Sequence, residues 1–393
     1  KLLGRNGTIK HLKIIKMSNN LFNLEFYKGK RVLLTGHTGF KGTWMTKVLL
    51  KSGSKVLGYS NGIPTEPNLF SIANLEPFIK TKTDLSSFKI DSTDLDEPYL
   101  IDVRGDICDL KKLKKYFDLF KPQIVIHMAA QPLVRESYVN PVLTYQTNVM
   151  GTVNVLECVR HTDSVKSVLN VTTDKVYKNN EFFWGYRENE YLDGFDPYSN
   201  SKSCSELVTH CYKNSFLSNI AVSTARAGNV IGGGDFSKDR IIPDCVRAME
   251  HHEAIKVRNK NSIRPYQHVL EPVMTYLMVA QKQFDNSEFQ GYYNVGPDDC
   301  DCVTTGQLVS LFCKHWSDNA TWLDCSEENA PHEANFLKLD CSYLKSKFNW
   351  KPRWHIDECM KLTCELSKCI LNHKGNDTSV SDLMNSQIDL YLN

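Results

Sequence analysis

A tyrosine and a lysine with helical spacing, Tyr198 and Lys202, are the residues best suited to proton-transfer chemistry in this chain. The segment after Pro197 is predicted to be helical, so side chains four residues apart lie one turn apart on the same face. An ammonium group beside a phenol stabilises the phenolate and lowers its pKa. This predicts that Tyr198 acts as a base near neutral pH. Taken alone, a pair with this spacing is more often an ordinary surface contact, and only its context favours chemistry.

Three polar residues, Thr173, Asp174 and Lys175, directly follow a strand predicted at 165–172. Thr173 could supply a hydroxyl group to the site of Tyr198, and its two neighbours add a carboxyl group and an amine. The alternative for Lys175 is a solvated turn residue. A phenol, a hydroxyl, a carboxyl group and two amines within residues 172–202 together predict a site for proton transfer.

A glycine-rich turn near the start of the chain predicts a dinucleotide site. An apolar run at 31–34 predicts a strand, the sequence GHTGFKG follows, and 43–50 and 55–58 are predicted as a helix and a second strand. Bare amides and the helix dipole at such a turn favour a pyrophosphate. The turn carries three evenly spaced glycines, Gly36, Gly39 and Gly42. This G-x-x-G-x-x-G spacing departs from the usual G-x-G-x-x-G, so a plain tight turn is the alternative.

Strands are also predicted at 100–103, 123–127 and 221–226, which makes six. Because they alternate with helical segments, the fold is predicted to be α/β, with a doubly wound parallel sheet. One of the intervening helices is predicted at 142–161.

The ends of the predicted strands give mixed signals about the cofactor. Tyr59-Ser60-Asn61 stand where a ribose-binding acid is expected, so NAD and NADP are not distinguished by this position. Asp106 is placed to accept from an adenine amino group, or it is a helix cap or loop carboxylate. Small side chains at Ala129 and Ala130 would let a flat cofactor approach the backbone.

The pattern changes after residue 227, which predicts two domains. The first, at 17–230, is the nucleotide-binding domain, and the second, at 231–393, is a smaller α+β domain for the substrate. A strand at 291–296 is a candidate for return to the first sheet. Residues 63–98 are predicted to form a surface insertion. The basic segment 1–16, which precedes Met17, is treated as a tail outside the fold, disordered or non-native, because it lacks the apolar centre of a secretory signal.

Composition excludes several classes of protein. The 393 residues carry a net charge of +2, which gives no electrostatic case for nucleic acid or an anionic membrane. No apolar run is long enough for a transmembrane helix. The 13 cysteines are scattered, and no Cys-x-x-Cys pair or Cys/His cluster has zinc spacing, so no metal is predicted. Free thiols are expected, in a reducing cytoplasm.

The chain resembles the extended short-chain dehydrogenase/reductase family. The resemblance rests on TGHTGFKG at 35–42, HMAAQP at 127–132 and the Tyr198-x-x-x-Lys202 motif. Longer stretches, such as TTDKVYKN, WGYRENEYLDGFDPYSNSKSCSELV, RAGNVIGGGDF and IRPYQHVLEP, are similar to the nucleotide-sugar 4,6-dehydratases of that family that act on CDP-glucose. These stretches run from about residue 31 to 275, with weaker similarity to about 370.

The resemblance implies a reaction and an assembly. NAD oxidises the sugar at carbon 4, water is lost across carbons 5 and 6, and the hydride returns to carbon 6. Tyr198, with Lys202 and Thr173, takes the proton of the 4-hydroxyl. Asp174 is the acid for the departing hydroxyl, so its pKa should be raised by burial. Lys175 is a base or an electrostatic stabiliser. A homodimer through helices 142–161 and 198–214, and a role in deoxysugar synthesis for O-antigen and lipopolysaccharide, are also implied.

The resemblance also assigns binding residues by position. For the cofactor these are Gly36, Thr38, Gly39, Phe40, Gly42, Asp106, Ile107, Ala129, Ala130, Gln131, Asn148, Tyr198 and Lys202. For the nucleotide sugar they are Asn229, Arg240, Arg264 and His268, the last equally compatible with a packed histidine. The alternatives are a dehydratase for dTDP-glucose or GDP-mannose, a 4-epimerase, and a silent dinucleotide-sensing regulator.

Overall fold

The computed structural model describes residues 22–81, 97–326, 336–375 and 377–393. The predicted tail at 1–16 and much of the predicted insertion, at 82–96, lie outside the described residues. None of the helices within these ranges combines the length and apolarity that a bilayer span requires.

Fourteen strands are present in the described residues, eight of them in one central sheet. In chain order they are β1 (Arg31–Thr35), β2 (Lys55–Ser60), β3 (Ile79–Thr81), β4 (Tyr99–Arg104), β5 (Ile124–His127), β6 (Ser167–Val171), β7 (Ala221–Ala227), β8 (Val230–Ile231), β9 (Ile255–Val257), β10 (Ile263–Arg264), β11 (Gln267–His268), β12 (Tyr292–Val295), β13 (Val303–Thr304) and β14 (Trp322–Asp324).

Thirteen α-helices are present in the same ranges. They are α1 (Phe40–Lys51), α2 (Leu69–Ile72), α3 (Leu110–Phe120), α4 (Val134–Val139), α5 (Pro141–Tyr145), α6 (Gly151–Arg160), α7 (Pro197–Ser215), α8 (Ile241–Glu250), α9 (Leu270–Asp285), α10 (Thr305–Trp316), α11 (Ser342–Phe348), α12 (Ile356–Asn372) and α13 (Ser379–Leu392). A π-helical turn, Gln146–Met150, joins α5 to α6, and short 3₁₀ turns include Asp174–Val176 and Asp299–Asp301.

The central sheet is parallel throughout and has the order β12-β7-β6-β5-β1-β2-β4-β3. The strand order reverses between β1 and β5, and ligands of open α/β sheets bind at that switch point, beyond the carboxyl ends of the strands. The sheet carries one buried apolar cluster that includes residues of α3 and α6, and a second that includes residues of α1, α9, α12 and α13. The prediction of a doubly wound α/β fold is therefore confirmed.

The chain leaves this sheet after β7 and returns to it with α9 and β12, which pairs with β7. Between and after these elements lie three small two-stranded sheets: β8 with β11, β9 with β14, and β10 with β13. A third apolar cluster, with residues from α8, α10 and α12, forms the core of this region.

The helix predicted at 142–161 needs a correction. It begins at Pro141, whose missing N–H is tolerated in a first helical turn, and the π turn Gln146–Met150 interrupts it before α6. Apolar periodicity does not identify such a turn, because it reports which side chains are buried and not which backbone hydrogen bonds form. π turns are frequent at functional sites, and this one contains Asn148.

Candidate active site

The glycine turn after β1 is packed too closely for side chains at two positions. Gly36 has φ +76°, and a Cβ atom there would lie 2.9 Å from the amide nitrogen of Ala129. A Cβ atom on Gly42 would lie 2.0 Å from the Gly36 carbonyl oxygen. The turn therefore holds the start of α1 against the loop that follows β5, and this closeness requires glycine.

The first turn of α1 offers free backbone donors. Its N-cap is Gly39, no side chain caps it, and its first turn contains no acid. A Cβ atom on Gly39 would meet only the Gly36 carbonyl oxygen, at 3.5 Å, so space remains in front of the turn. Thr38 closes one side, since its hydroxyl donates to Gly62 O at 2.6 Å. Open amides at a helix start, beside a glycine turn, suit a pyrophosphate.

The loop after β5 is held by its neighbours. The Thr35 hydroxyl accepts from the amides of Met128 and Ala129, both at 3.0 Å. Asn148 accepts from the Gln131 amide at 2.8 Å and donates to the Gln131 carbonyl at 3.1 Å. The side-chain amide of Asn148 is therefore occupied by protein partners. Asn148 positions the loop after β5, which includes Ala130, at the switch point.

The turn after β4 places two predicted cofactor residues differently. Asp106 is exposed, and its carboxylate accepts from the Cys108 amide at 2.8 Å, as a loop carboxylate does. Ile107 is buried, and its carbonyl accepts from Asn154 at 3.0 Å.

The predicted base, Tyr198, lies in the first turn of α7. Asp196 caps this helix by accepting from the Ser199 amide at 3.0 Å. The Tyr198 phenol is hydrogen-bonded to the side chain of Thr173 from the end of β6. Burial raises the pKa of Tyr198 to about 12, although the hydrogen bond to Thr173 and the nearby charge of Arg240 oppose this rise.

The predicted effect of Lys202 on this phenol is wrong in the structure. The Lys202 ammonium is buried and donates to the carbonyl of Val171 at 3.1 Å. Burial and the charge of Lys41 lower the pKa of Lys202 to about 7. Helical spacing correctly placed Lys202 one turn after Tyr198, but it did not show that burial would weaken both charges.

Asp174 is the most enclosed acid of the site. It is 1% exposed, its Oδ1 accepts from the Thr173 hydroxyl at 3.0 Å, and its Oδ2 has no partner among the described residues. The ammonium of Lys175 lies 3.6 Å from Oδ1, and its side chain is 30% exposed. A buried carboxyl oxygen without a partner is costly, so a ligand group is expected to meet it.

Two residues that interact electrostatically with this acid were not predicted from the sequence. Lys41, in the glycine turn, is close enough to Asp174 and Arg240 for their charges to affect it, and burial lowers its pKa to about 8. Tyr276, on α9, has a buried hydroxyl without a partner among the described residues, and it interacts electrostatically with Tyr198 and Asp174. Lys41 stood inside the motif GHTGFKG and could have been noticed there, whereas Tyr276 gave no signal.

The four predicted substrate residues lie in different surroundings. Arg240, at the start of α8, pairs with Asp235 at 3.1 Å and lies near Tyr198. Asn229 precedes β8, and Arg264 is a buried residue of β10 that donates to Ile263 O. His268 is fully buried, its ring lying 6.0 Å from Trp44 and 5.1 Å from Trp354. This is the environment of a packed histidine, the alternative given above.

Removal of the buried charge at Lys202 should stabilise the protein while it abolishes activity. The folded-state pKa of about 7 lies below the ordinary 10.5, so the unfolded chain binds more protons between these values. The resulting penalty is fully present below pH 7, shrinks as the pH rises and is gone above 10.5. Lys202→Met should therefore resist urea better than wild type at pH 6, with a smaller difference at pH 10. Unfolding curves of nucleotide-free protein test this, and Lys111→Met, which removes an exposed charge, is the control.

A Rossmann sheet with a glycine turn at its switch point, and a Tyr-x-x-x-Lys helix beside it, defines an extended short-chain dehydrogenase/reductase. The family model of the GDP-mannose 4,6 dehydratase family matches residues 33–363. The chain therefore belongs to that family. The chain is 46% identical over 348 residues to CDP-glucose 4,6-dehydratase of Salmonella typhimurium, a match that covers 86% of this chain and 91% of that protein.

Solved structures share the fold at lower identity. UDP-glucose 4-epimerase of Thermotoga maritima, solved with UDP-glucose, has a TM-score of 0.69 and 22% identity, and the match covers 87% of this chain and 99% of that one. dTDP-glucose 4,6-dehydratase of Bacillus anthracis, solved with NAD, has a TM-score of 0.64 and 19% identity, with 86% and 96% covered. Epimerases and dehydratases thus share this architecture, and the side chains of the site must decide between the two reactions.

Proposed function

We propose that this protein is a hydro-lyase that converts CDP-D-glucose to CDP-4-dehydro-6-deoxy-D-glucose and water, with NAD as cofactor. The observation that carries the proposal is Asp174, a buried carboxyl group with a free oxygen, located beside Thr173 and Tyr198. An epimerase needs no acid for a departing hydroxyl, whereas a dehydratase does. The similarity to the Salmonella typhimurium enzyme supports the choice of nucleotide sugar.

The residues at the switch point fit NAD. The uncapped amides at the start of α1, including that of Phe40, would hold the pyrophosphate, and the loop after β5 would face the nicotinamide end. When bound, NAD would supply the hydride acceptor for sugar carbon 4 and the hydride donor for carbon 6. A test of occupancy is nucleotide release from denatured protein.

Tyr198 takes the proton from the sugar 4-hydroxyl. Burial raises the pKa of this phenol, and the nearby charge of Arg240 favours its ionised form. Lys202 holds α7 to the end of β6 through the Val171 carbonyl, so it fixes the direction of this phenol. Oxidation at carbon 4 makes the proton on carbon 5 acidic, which permits the elimination.

Asp174 gives its proton to the departing 6-hydroxyl. Its free Oδ2 is the atom available for this transfer, while Oδ1 is engaged by Thr173. Lys175 acts at carbon 5 in one of two ways. In its neutral form it is the base that removes the proton, and as a cation it stabilises the enolate. The Lys175 ammonium lies 3.6 Å from Asp174 Oδ1, so the two groups can act on the same part of the sugar. Asn229, Arg240 and Arg264 are proposed to bind the nucleotide sugar, with His268 shaping the core behind them.

The choice of substrate is tested directly by turnover. Purified protein is incubated with CDP-glucose, dTDP-glucose or GDP-mannose, and the 4-keto-6-deoxy product is followed by its ultraviolet absorbance in strong alkali. CDP-glucose should give product, and the other two should give little. Product from another sugar nucleotide but none from CDP-glucose would reject the nucleotide assignment. A 4-epimer without loss of water would instead support the epimerase alternative.

We also propose a homodimer through the helices at 142–161 and 198–214. Exposed apolar side chains cluster on these helices and the adjoining α4, namely Val139 at 73%, Val142 at 68%, Met150 at 50% and Leu207 at 55%. Several exposed apolar side chains on neighbouring helices are typical of a protein interface, and a second copy can bury them by symmetry. Val142→Glu with Leu207→Glu should yield a 44.9 kDa particle by light scattering, whereas Leu119→Glu, on α3, should remain dimeric. A monomeric wild type would contradict the proposal.

The remaining parts of the proposal concern organisation and location. We propose that 17–230 binds the cofactor, with the strand at 291–296 added to its sheet, and that 231–393 binds the sugar. All 13 cysteines are free, which supports a cytoplasmic location. The product, a 4-keto-6-deoxy sugar nucleotide, suits deoxysugar synthesis for O-antigen and lipopolysaccharide.

A further inference from the structure

A thiol, a carboxylate and an imidazole lie close together in the C-terminal region, about a hundred or more residues after Tyr198 in the sequence. Cys300 and Asp301 belong to the 3₁₀ turn that precedes β13, and His355 is the residue before α12. Their ligand atoms, Sγ, a carboxylate oxygen and a ring nitrogen, all lie within 4.8 Å of one another. Cys300 and His355 are exposed, while Asp301 is 5% exposed.

Both exposed groups approach the same oxygen of the aspartate. The Cys300 Sγ lies 3.7 Å from Asp301 Oδ2, and the His355 Nδ1 lies 2.9 Å from it. The other carboxylate oxygen, Oδ1, accepts from the Ile356 amide at 2.9 Å. The backbone of α12 therefore holds the carboxylate in one orientation. Metal ligands are commonly oriented in this way by hydrogen bonds from surrounding groups.

The separations match a tetrahedral metal centre. Bonds of about 2.0–2.3 Å to a zinc ion place neighbouring ligand atoms about 3.5 Å apart. The observed distances of 2.9 and 3.7 Å lie on either side of that value. The remaining separation, between the cysteine sulfur and the histidine ring nitrogen, is at most 4.8 Å. Cys300 and His355 are exposed, so their side chains can move to the spacing that a metal ion requires.

We propose that Cys300, Asp301 and His355 bind a divalent transition-metal ion, with Zn²⁺ as the best match and water in the fourth position. Thiolate, imidazole and carboxylate are the ligands that zinc prefers. The thiolate and carboxylate also neutralise the charge of the ion. The neighbouring acids Asp298 and Asp299 already pair with Lys345 and Lys338, so they need not take part.

The position of the site indicates what the metal does. The strand that follows Asp301, β13, pairs with β10, where Val303 is opposite Arg264. A metal would fasten this turn to the start of α12 and so fix the strand that carries Arg264. We therefore assign it a structural role in the sugar-binding region. This role rests on the proposed function only through Arg264, and the binding test below is independent of any activity.

The test is a titration of the full-length protein with Co²⁺ after chelator treatment, in a non-thiol reductant. We expect one equivalent to produce visible d–d bands and a near-ultraviolet thiolate-to-cobalt band, and Zn²⁺ to remove both because it binds such sites more tightly. Cys300→Ser should abolish the thiolate band. His355→Asn should weaken Co²⁺ binding by at least about tenfold. Both residues are exposed, so these variants should fold.

The matched control is Cys302→Ser, which alters a thiol two residues away that lies outside the cluster. This variant should keep the full cobalt spectrum. The proposal is overturned if wild type gives no thiolate band, if the band survives in Cys300→Ser, or if it disappears in Cys302→Ser. Without metal binding, the three side chains would be a hydrogen-bonded cap for α12 only.

Discussion

Replacement of Tyr198 with Phe is expected to lower kcat for CDP-glucose by about 10³-fold, the range attributed to a positioned acid or base. The change removes one oxygen atom and leaves the ring packing intact. It removes the phenol oxygen that is proposed to take the proton of the 4-hydroxyl. KM should change little, because the phenol acts mainly in the transition state. Initial rates of 4-keto sugar formation measure the effect.

Tyr212→Phe is the matched control for this experiment. Tyr212 lies on the same helix, α7, and its hydroxyl donates to Glu157 rather than to the site. That variant should retain wild-type kcat. Full activity in Tyr198→Phe would show that another group removes the proton of the 4-hydroxyl, and the assignment of the base would then be wrong.

The sequence predicted the sheet well because a buried parallel strand is an uninterrupted apolar run. The six predicted strands all appear, and GYYNV joins the sheet as β12. β3 was missed because its three residues, Ile79–Thr81, lie inside a polar insertion and carry no pattern of their own. The π turn at Asn148 was missed for a similar reason, since side-chain periodicity reports which face is buried and not which backbone bond is made.

Contacts between residues far apart in sequence were harder to predict. Spacing places Tyr198 and Lys202 on one face, but the sign of their pKa shifts depends on burial, which spacing does not report. The charge of Asp174 acts on Lys41 across more than a hundred residues, and Asp301 contacts His355 across 54. Such pairs become visible only when the fold brings separate strand ends and helix starts together.

Replacement of Asp174 with Asn is expected to separate oxidation from dehydration. Asparagine keeps the size of the side chain, and its carbonyl can still accept from Thr173 as Oδ1 does now. It has no acidic proton to give to the 6-hydroxyl. Tyr198 is unchanged, so the proton of the 4-hydroxyl can still be removed. Loss of water should therefore slow by about 10²–10⁴-fold, the range for a general acid.

The two steps have different readouts. After rapid mixing with CDP-glucose, Asp174→Asn should show the absorbance of reduced nicotinamide, which persists because elimination does not follow. The 4-keto-6-deoxy product should be almost absent. Asp193→Asn, which alters an exposed acid in the loop before α7, should behave as wild type in both assays. Normal dehydration by Asp174→Asn would remove this residue from the mechanism, and with it the feature that distinguishes the site from that of an epimerase.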